Sequence, residues 1–228
     1  MISVPIVTVD GPSGAGKGTL SAALASKLGY RYLDSGALYR LLALASERHK
    51  VALDNQHALV VLAAHLDICF EYNAAEDRTQ ILLEGEDVSR QLRTESVAIM
   101  ASELAVHVGV RAALVERQRL FALAPGLVAD GRDMGTVVFP EARLKIYLTA
   151  SAEERAARRY KQLLEKGDNV SLRAVRLQVD ERDQRDTERQ VAPLRPADDA
   201  IQIDTSEMSA DAVLLQLLEI TVVKGLLT

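Results

Sequence analysis

The sequence predicts an α/β fold, in which a parallel sheet is flanked by helices and accompanied by a small antiparallel insert and a helical lid. A glycine-rich loop joins the first apolar run of the chain to the first helical pattern. Further short apolar runs alternate with helical patterns, an order that favours a parallel sheet with helices on both faces. One stretch of strict alternation between apolar and polar residues interrupts this order and indicates antiparallel strands.

The glycine-rich loop fits the Walker A pattern Gly-x-x-x-x-Gly-Lys. It comprises Gly11, Pro12, Ser13, Gly14, Ala15, Gly16, Lys17, Gly18 and Thr19. An apolar run at 6–9, typical of a buried strand, precedes the loop, and leucines and alanines at helical spacing follow it. Glycines let several backbone N–H groups point at one anion, and the helix N-terminus adds a partial positive charge. We therefore expect a P-loop NTPase fold in which Lys17 reaches the outer phosphates of a nucleoside triphosphate.

The loop departs from the generic Walker A pattern at one position. Gly18 stands where the pattern has Ser or Thr, and Thr19 follows it. We therefore expect Thr19 to place its hydroxyl near Mg²⁺. The alternative, a glycine-rich turn without a ligand, is disfavoured by the order of strand, loop and helix.

The next elements continue the alternation of strand and helix. A short strand is expected to end at 33–34, and a helix is expected to begin near Gly36. A third helix is predicted over 55–66, with Asp54 as its N-cap because Asp accepts hydrogen bonds from first-turn N–H groups.

A period-two pattern then replaces the helical one. Apolar and polar residues alternate from 66 to 72, polar turn residues occupy 73–78, and 79–84 reads as a partner strand. Another tight turn is expected at 85–87. These features predict an antiparallel meander over about 66–90, inserted beside the main sheet.

Two more helices are expected before the main pattern resumes. Thr94 is a candidate cap of the first, and the second is expected to carry Phe121 before Pro125 and Gly126 end it. The apolar run 127–129 then predicts another strand of the parallel sheet.

The last part of the chain repeats the strand and helix patterns. The run 144–148 predicts a strand, and Ser151 with Glu154 forms a capping box that opens a helix. A last strand is expected at 201–203, and a closing helix is expected from Ser209 onward.

The composition limits the classes of function. The chain has 228 residues and a net charge of −5, so it lacks the basic excess typical of proteins that bind nucleic acid or membrane surfaces. Its single cysteine, Cys69, excludes an intrachain disulfide and agrees with a reducing compartment. Met1 leads straight into a strand, and no apolar run is long enough to cross a bilayer. We expect a cytoplasmic protein, and nothing in the sequence indicates an oligomer rather than a monomer.

A first cluster of polar residues follows the expected strand at 33–34. Ser35 and Arg40 lie at the start of a helix, where the helix dipole and the arginine charge together stabilise an anion. The alternative is an N-cap serine with a surface arginine.

A second cluster lies at the carboxyl end of the apolar run 127–129, where open parallel sheets bind ligands. Asp130 could hold a water molecule on Mg²⁺, as the carboxylate after a Walker B strand does. Arg132 and Asp133 could recognise a second substrate. The alternative is a polar turn whose Asp caps the next segment.

A third cluster is rich in arginine. If 181–189 is helical, one face carries Arg182, Arg185, Asp186 and Arg189. A second basic stripe carries Arg155, Arg158 and Arg159. Such runs are often solvated, salt-bridged helix faces. Beside a P-loop they also fit a lid that supplies cations for phosphoryl transfer.

Four motifs together resemble those of bacterial cytidylate kinases, which are nucleoside monophosphate kinases. They are DGPSGAGKGT at 10–19, DSGALYR at 34–40, GRDMGTVVFP at 131–140 and the Glu-Arg-Asp-x-Arg-Asp segment at 181–186. The insert near 66–90 also resembles the enlarged monophosphate-binding region of that family. The resemblance covers nearly the whole chain, except for the residues after Ile220.

The resemblance implies one kinase unit, 1–228, with three parts. The core would comprise roughly 1–34, 125–155 and 197–228, the monophosphate-binding region 35–124 and the lid 156–196. The family transfers the γ-phosphoryl group of ATP to CMP or dCMP with Mg²⁺. Positioning and charge neutralisation would do most of the catalytic work, without a strong base.

The resemblance also implies roles for individual residues. Contacts to the monophosphate would come from Ser35, Arg40, Ser102, Arg111, Arg132, Asp133, Arg182, Asp186 and Arg189. ATP would bind the nine P-loop residues together with Arg158 and Arg159. The catalytic cations would be Lys17, Arg132, Arg182 and Arg189. Thr19 and, through water, Asp130 would hold the metal. Asp133 would accept a hydrogen bond from the cytosine N4 amino group.

Three alternatives remain at this point. A P-loop kinase could act on another small acceptor, such as UMP or shikimate. A GTPase-type switch requires an Asn-Lys-x-Asp segment, and the sequence has no Asn-Lys dipeptide. A binding module without turnover would not need so many candidate arginines.

Overall fold

The computed structural model describes residues 4–73, 78–165, 167 and 169–226. The strands in this part of the chain are β1 (Ile6–Asp10), β2 (Arg31–Asp34), β3 (Ile68–Asn73), β4 (Arg78–Leu83), β5 (Glu86–Asp87), β6 (Leu127–Gly131), β7 (Leu144–Thr149) and β8 (Ile201–Asp204). The α-helices are α1 (Lys17–Leu28), α2 (Ser35–Arg48), α3 (Gln56–Ala64), α4 (Glu95–Leu104), α5 (Val108–Arg119), α6 (Ala152–Glu165), α7 (Leu172–Thr187) and α8 (Ala210–Val223). A 3₁₀ turn at Gln91–Arg93 and a π-helical turn at Met134–Val138 complete the set.

The chain divides into two compact units. Unit 1 comprises Met1–Asp34 and Arg119–Thr228, and unit 2 comprises Ser35–Gln118. The predicted lid, 156–196, falls within unit 1, and its role as a lid stays a prediction.

Unit 1 is built on a five-stranded parallel sheet with the order β2-β6-β1-β7-β8. The central strand, β1, pairs with β6 and β7, so that Asp10 lies opposite Gly131 and Tyr147. On the other side of β6, Asp34 lies opposite Asp130. The carboxyl ends of these strands therefore meet at one edge, where ligands of open parallel sheets bind. The predicted parallel α/β architecture is confirmed.

The strands in the middle of the sheet of unit 1 consist mainly of apolar residues, because helices cover the sheet. Val7 and Val9 of β1 are fully buried, as is the run from Leu127 to Ala129 in β6. Leu24 of α1 and Leu217 of α8 belong to the same core cluster. This burial explains why the strands read as short continuous apolar runs rather than alternating ones.

Within its described residues, unit 2 combines the helices α2 to α5 with an antiparallel sheet of order β3-β4-β5, which confirms the predicted meander. Residues 74–77 of the predicted turn lie outside the described residues, while β3 reaches Asn73 and β4 begins at Arg78. The turn predicted at 85–87 is wrong in part. Glu84 and Gly85 make the turn, and Glu86 already pairs with Leu83 as part of β5.

The helix boundaries of unit 2 correct two other predictions. Asn55, not Asp54, is the N-cap of α3, because its Oδ1 accepts from the N–H of Ala58 at 3.2 Å. Thr94 stands at the N-cap of α4, but its hydroxyl donates to the carbonyl of Gln91 instead of accepting from the helix.

The helix boundaries of unit 1 mostly agree with the capping signals. The hydroxyls of Ser151 and Ser209 accept from N–H groups three residues later, which confirms the predicted starts of α6 and α8. Phe121, in contrast, lies beyond the end of α5 at Arg119, so the predicted helix is too long.

Within the described residues, no single helix has both the length and the apolar composition to cross a membrane. The one candidate by these criteria is a pair bent by 104°, Glu95–Leu104 with Val108–Arg119.

Candidate active site

Glycines with positive φ shape the P-loop. Gly11 has φ +147°, and a Cβ there would lie 2.0 Å from the carbonyl oxygen of Leu148, so no other residue fits. Gly16, with φ +88°, is the N-cap of α1 and has no side chain to accept from the first-turn N–H groups. An anion can take that role, as the sequence predicts for a phosphate.

Lys17 lies inside the loop and is only 7% exposed. Its Nζ donates to the carbonyl oxygen of Pro12 at 2.7 Å. Burial lowers the pKa of Lys17, and the nearby charges of Arg132 and Arg182 lower it further, while Asp130 raises it. The ammonium therefore lies close to other cations, and their combined positive charge would attract a phosphate group.

Asp130 is the penultimate residue of β6 and lies against the first turn of α1. A Cβ at Gly18 would be 3.4 Å from its Oδ2, and the hydroxyl of Tyr32 donates to the same oxygen at 2.9 Å. Burial raises the pKa of Asp130, and Asp34 raises it further, against the opposing effect of Lys17. Tyr32 was not predicted to belong to the site.

The residues around Asp130 fit a magnesium ion that is held mainly by substrate phosphates. Among the described residues, no group of three or more His, Cys, Asp or Glu side chains could hold a metal. Mg²⁺ commonly uses one or two carboxylates together with substrate phosphates and water. Asp130 is one buried carboxylate of this kind, and Thr19 lies exposed in the first turn of α1; their contact with a metal stays a prediction.

Arg132 and Asp186 form an ion pair in the interior of unit 1. The Nε of Arg132 donates to Oδ2 of Asp186 at 2.8 Å, and Asp186 is only 5% exposed. Burial would raise the pKa of Asp186, but the charges of Arg132 and Arg182 outweigh it and hold the pKa below its usual value. The structure thus brings together Arg132, Asp186 and the charge of Arg182, as the resemblance implies.

Arg189 also belongs to this charged group, although it does not lie on the helix as predicted. The helix α7 ends at Thr187, and Arg189 follows it. Its Nε donates to the backbone carbonyl of Asp186 at 3.3 Å, and its charge helps to lower the pKa of that carboxyl.

Asp133 is buried, and its neighbours are held by Asp10, a residue to which the sequence assigned no role. The two carboxylate oxygens of Asp10 accept from the N–H groups of Met134 and Gly135, each at 2.8 Å. Burial raises the pKa of Asp10 to about 6, even though both hydrogen bonds lower it. Asp10 therefore fixes the backbone that follows Arg132 and Asp133.

The other predicted monophosphate-binding residues lie in unit 2. Ser35 opens α2 and is buried, Arg40 is half-buried on the same helix, and Ser102 is buried in α4. Arg111 of α5 is 4% exposed, and its Nη1 donates to the carbonyl of Ala105 at 3.2 Å. A buried arginine is unusual and is consistent with a specific role.

The family model described as "Cytidylate kinase" matches residues 7–222, which is nearly the whole chain. The chain belongs to the cytidylate kinase family.

Curated members of the cytidylate kinase family match the chain over most of its length. A cytidylate kinase of Pseudomonas savastanoi pv. phaseolicola is 57% identical over 225 residues, which cover 99% of this chain and 98% of the relative. That of Aeromonas hydrophila subsp. hydrophila is 58% identical over 214 residues, with 94% and 92% covered. That of Pseudomonas aeruginosa is 59% identical over 211 residues, with 92% of each chain covered. The resemblance inferred from the four motifs is confirmed.

Two arginines of α6, which the resemblance assigns to ATP, have different surroundings. Arg158 donates to the carbonyl oxygen of Thr205 at 2.5 Å and to its hydroxyl at 3.1 Å, and so joins α6 to the segment after β8. Arg159 is half-buried on the same helix. Their contact with ATP stays a prediction.

Arg155, also on α6, was predicted only as part of a basic stripe. Arg155 is 6% exposed, and its guanidinium contacts the carbonyl oxygens of Ala150 and Ser13 as well as the carboxylate of Asp183. The sequence contained a signal for this role. An arginine that follows a buried strand and opens a helix is well placed to reach the P-loop.

Proposed function

We propose that the protein transfers the γ-phosphoryl group of ATP to CMP or dCMP, giving ADP and CDP or dCDP. Membership of the cytidylate kinase family over residues 7–222 is the observation that carries this proposal. The buried cations beside the P-loop support it, because phosphoryl transfer requires several positive charges around the moving group.

ATP would bind along the P-loop, from Gly11 to Thr19, with Arg158 and Arg159 on α6 as further contacts. Its phosphates would replace the carbonyl of Pro12 as the partner of Lys17. An anion there offsets the burial that lowers the pKa of Lys17, so the ammonium is fully charged in the complex. Thr19 and, through water, Asp130 would hold Mg²⁺, which supplies charge neutralisation at the β- and γ-phosphates.

CMP would bind the residues that the resemblance to the family assigns to it. Contacts to the monophosphate would come from Ser35, Arg40, Ser102, Arg111, Arg132, Arg182, Asp186 and Arg189. The carboxylate of Asp133 would accept from the cytosine N4 amino group, which uracil lacks. This hydrogen bond would make CMP a better acceptor than UMP.

Catalysis would rest on positioning and on charge. Lys17, Arg132, Arg182 and Arg189 would surround the transferred group and stabilise the charge that spreads over its oxygens. Asp186 orients Arg132 through their 2.8 Å hydrogen bond, so the guanidinium is already in place before substrates arrive. No side chain needs to act as a strong base.

We further propose that the protein works as a monomer in the cytoplasm on small-molecule substrates. The net charge of −5 disfavours nucleic acid and anionic membranes as partners, and a single cysteine suits a reducing compartment.

A coupled assay of ADP release tests the reaction against a panel of acceptors. CMP and dCMP are expected to support turnover with ATP and Mg²⁺, and UMP is expected to be much weaker. Turnover with shikimate or UMP but not with CMP would contradict the proposal and favour the alternative acceptors.

A further inference from the structure

Arg155 occupies a junction of three segments in unit 1. Its Nε donates to the carbonyl of Ala150, between β7 and α6, at 3.0 Å, and its Nη1 donates to Ser13 of the P-loop at 3.1 Å. The same Nη1 lies 2.5 Å from Oδ2 of Asp183 on α7. A buried guanidinium that satisfies three partners fixes the positions of all three, since each would otherwise lose a charge-assisted hydrogen bond.

The contact with Ser13 determines the direction of a P-loop amide. In a trans peptide the C=O and the following N–H point in opposite directions, so a donor that binds Ser13 O turns the N–H of Gly14 away from α6. Gly14 allows this approach, because a Cβ there would lie only 3.0 Å from the Cβ of Arg155. In a P-loop the backbone N–H groups bind the phosphates. By binding the carbonyl of Ser13 on the opposite side of the peptide, Arg155 therefore fixes the direction of the Gly14 N–H.

The contact with Asp183 extends the same support to α7. Asp183 and Asp186 lie one turn apart on this helix, and each is paired with an arginine from elsewhere in unit 1. Arg182, which directly precedes Asp183 in sequence, is near enough to Lys17 to lower its pKa. The two ion pairs therefore hold the helix that presents Arg182 to the P-loop lysine.

We propose that Arg155 and Asp183 are a positioning pair, which sets the P-loop peptide 13–14 and the helix α7 in the geometry that binds the phosphates of ATP. This inference rests on the proposed function of the P-loop. It gives a role to a pair that none of the predicted ATP or CMP contacts includes.

The test compares the ATP affinity of two variants with that of the parent protein. Asp183→Asn removes the charge at nearly constant volume, and Arg155→Lys keeps the charge but reaches fewer partners. Isothermal calorimetry with ATP and Mg²⁺, without CMP, should give a dissociation constant roughly tenfold weaker in each variant, because one charge-assisted hydrogen bond is lost or distorted. In steady-state assays the KM for ATP should rise more than the KM for CMP.

The chain offers a matched control in Glu153→Gln. Glu153 on α6 pairs with Arg176 on α7 at 2.8 Å, so it joins the same two helices, but it is exposed and does not touch the P-loop. This variant should bind ATP within about twofold of the parent, since exposed ion pairs contribute little. Circular dichroism and the melting temperature show whether all three variants are folded. If Arg155→Lys does not fold, the comparison of Asp183→Asn with Glu153→Gln still tests the inference.

The outcomes separate the inference from the proposed function. If the parent binds ATP and the folded variants bind it equally well, the positioning role is wrong while the kinase assignment stands. Equal weakening in Glu153→Gln and Asp183→Asn would also overturn it, because a general α6–α7 attachment would then explain the effect. If the parent itself does not bind ATP, both the proposed function and the inference fail.

Discussion

Lys17 is expected to be important for turnover and unfavourable for the stability of the unliganded protein, so the change Lys17→Met should affect the two in opposite directions. Met keeps most of the volume of the stem and removes the ammonium group. In the parent the ammonium is buried, and its pKa is lowered to about 7 from 10.5. Since each pKa unit corresponds to about 1.4 kcal/mol, the buried charge destabilises the fold by a few kcal/mol. Losing the hydrogen bond to Pro12 costs about 1.5–3 kcal/mol in return, so the variant should be at least as stable as the parent.

The effect of Lys17→Met on turnover should be large. A contact to the transferred group that exists mainly in the transition state contributes on the order of 10²-fold or more to the rate. Coupled ADP-release assays with CMP should therefore show kcat/KM lower by at least that factor. Urea unfolding of the same preparation, followed by circular dichroism, measures stability.

The pH dependence of stability gives a further check on Lys17. A lysine with a lowered pKa destabilises the folded state most at low pH, where it is charged, and the penalty shrinks as pH rises from about 7 toward 10.5. The stability advantage of Lys17→Met should therefore be greater at pH 7 than at pH 9. Near-parent turnover, or a clear loss of stability at pH 7, would refute this account of Lys17.

Three other predictions concern the base, the loop after β6 and the lid. Asp133→Asn should reduce the preference for CMP over UMP, mainly by weakening CMP, and the ratio of kcat/KM values measures it; an unchanged ratio means that Asp133 does not read the base. Burial raises the pKa of Asp10 from 3.8 to about 6, so the carboxyl ionises more easily in the unfolded chain than in the folded protein. The free energy of unfolding should therefore fall as the pH rises from about 3.8 to about 6. The free energy of unfolding of Asp10→Asn, measured over the same pH range, should lack this decrease. The same pH profile in the variant and the parent protein would show that Asp10 does not cause it. Amide hydrogen exchange of residues 155–190 should become slower when ATP and CMP bind together. If these residues exchange at the same rate in the free and the bound protein, although binding is confirmed, they do not form a lid.

The fold was predictable from the sequence because its signals are local. The Walker A loop, the short apolar strands and the caps at Ser151 and Ser209 each depend on residues within one turn or strand. The errors at Asp54 and Asn55 arise because adjacent residues of similar capping strength compete, and only the helical geometry decides between them.

The supporting residues of the site were harder to predict because their partners are distant in sequence. Asp10 binds Met134 across 124 positions, Tyr32 binds Asp130 across 98, and Arg155 binds Ser13 across 142. No periodicity or spacing connects such pairs, since the sheet order alone brings them together. The motifs therefore point to most of the residues assigned to substrates, while the residues that support them are visible only in the structure.

The strand order of unit 1 has a consequence for the synthesis of the chain. β1 and β2 leave the ribosome first, but they do not pair with each other, because β6 lies between them in the sheet. Both strands must wait for β6, which begins at Leu127, after all of Ser35–Gln118 has been made. Unit 2 is continuous in sequence and can fold during that interval, whereas the nascent strand β1 has no neighbouring strand to pair with. Translation speed through unit 2 therefore sets how long β1 is open to mispairing or to chaperones.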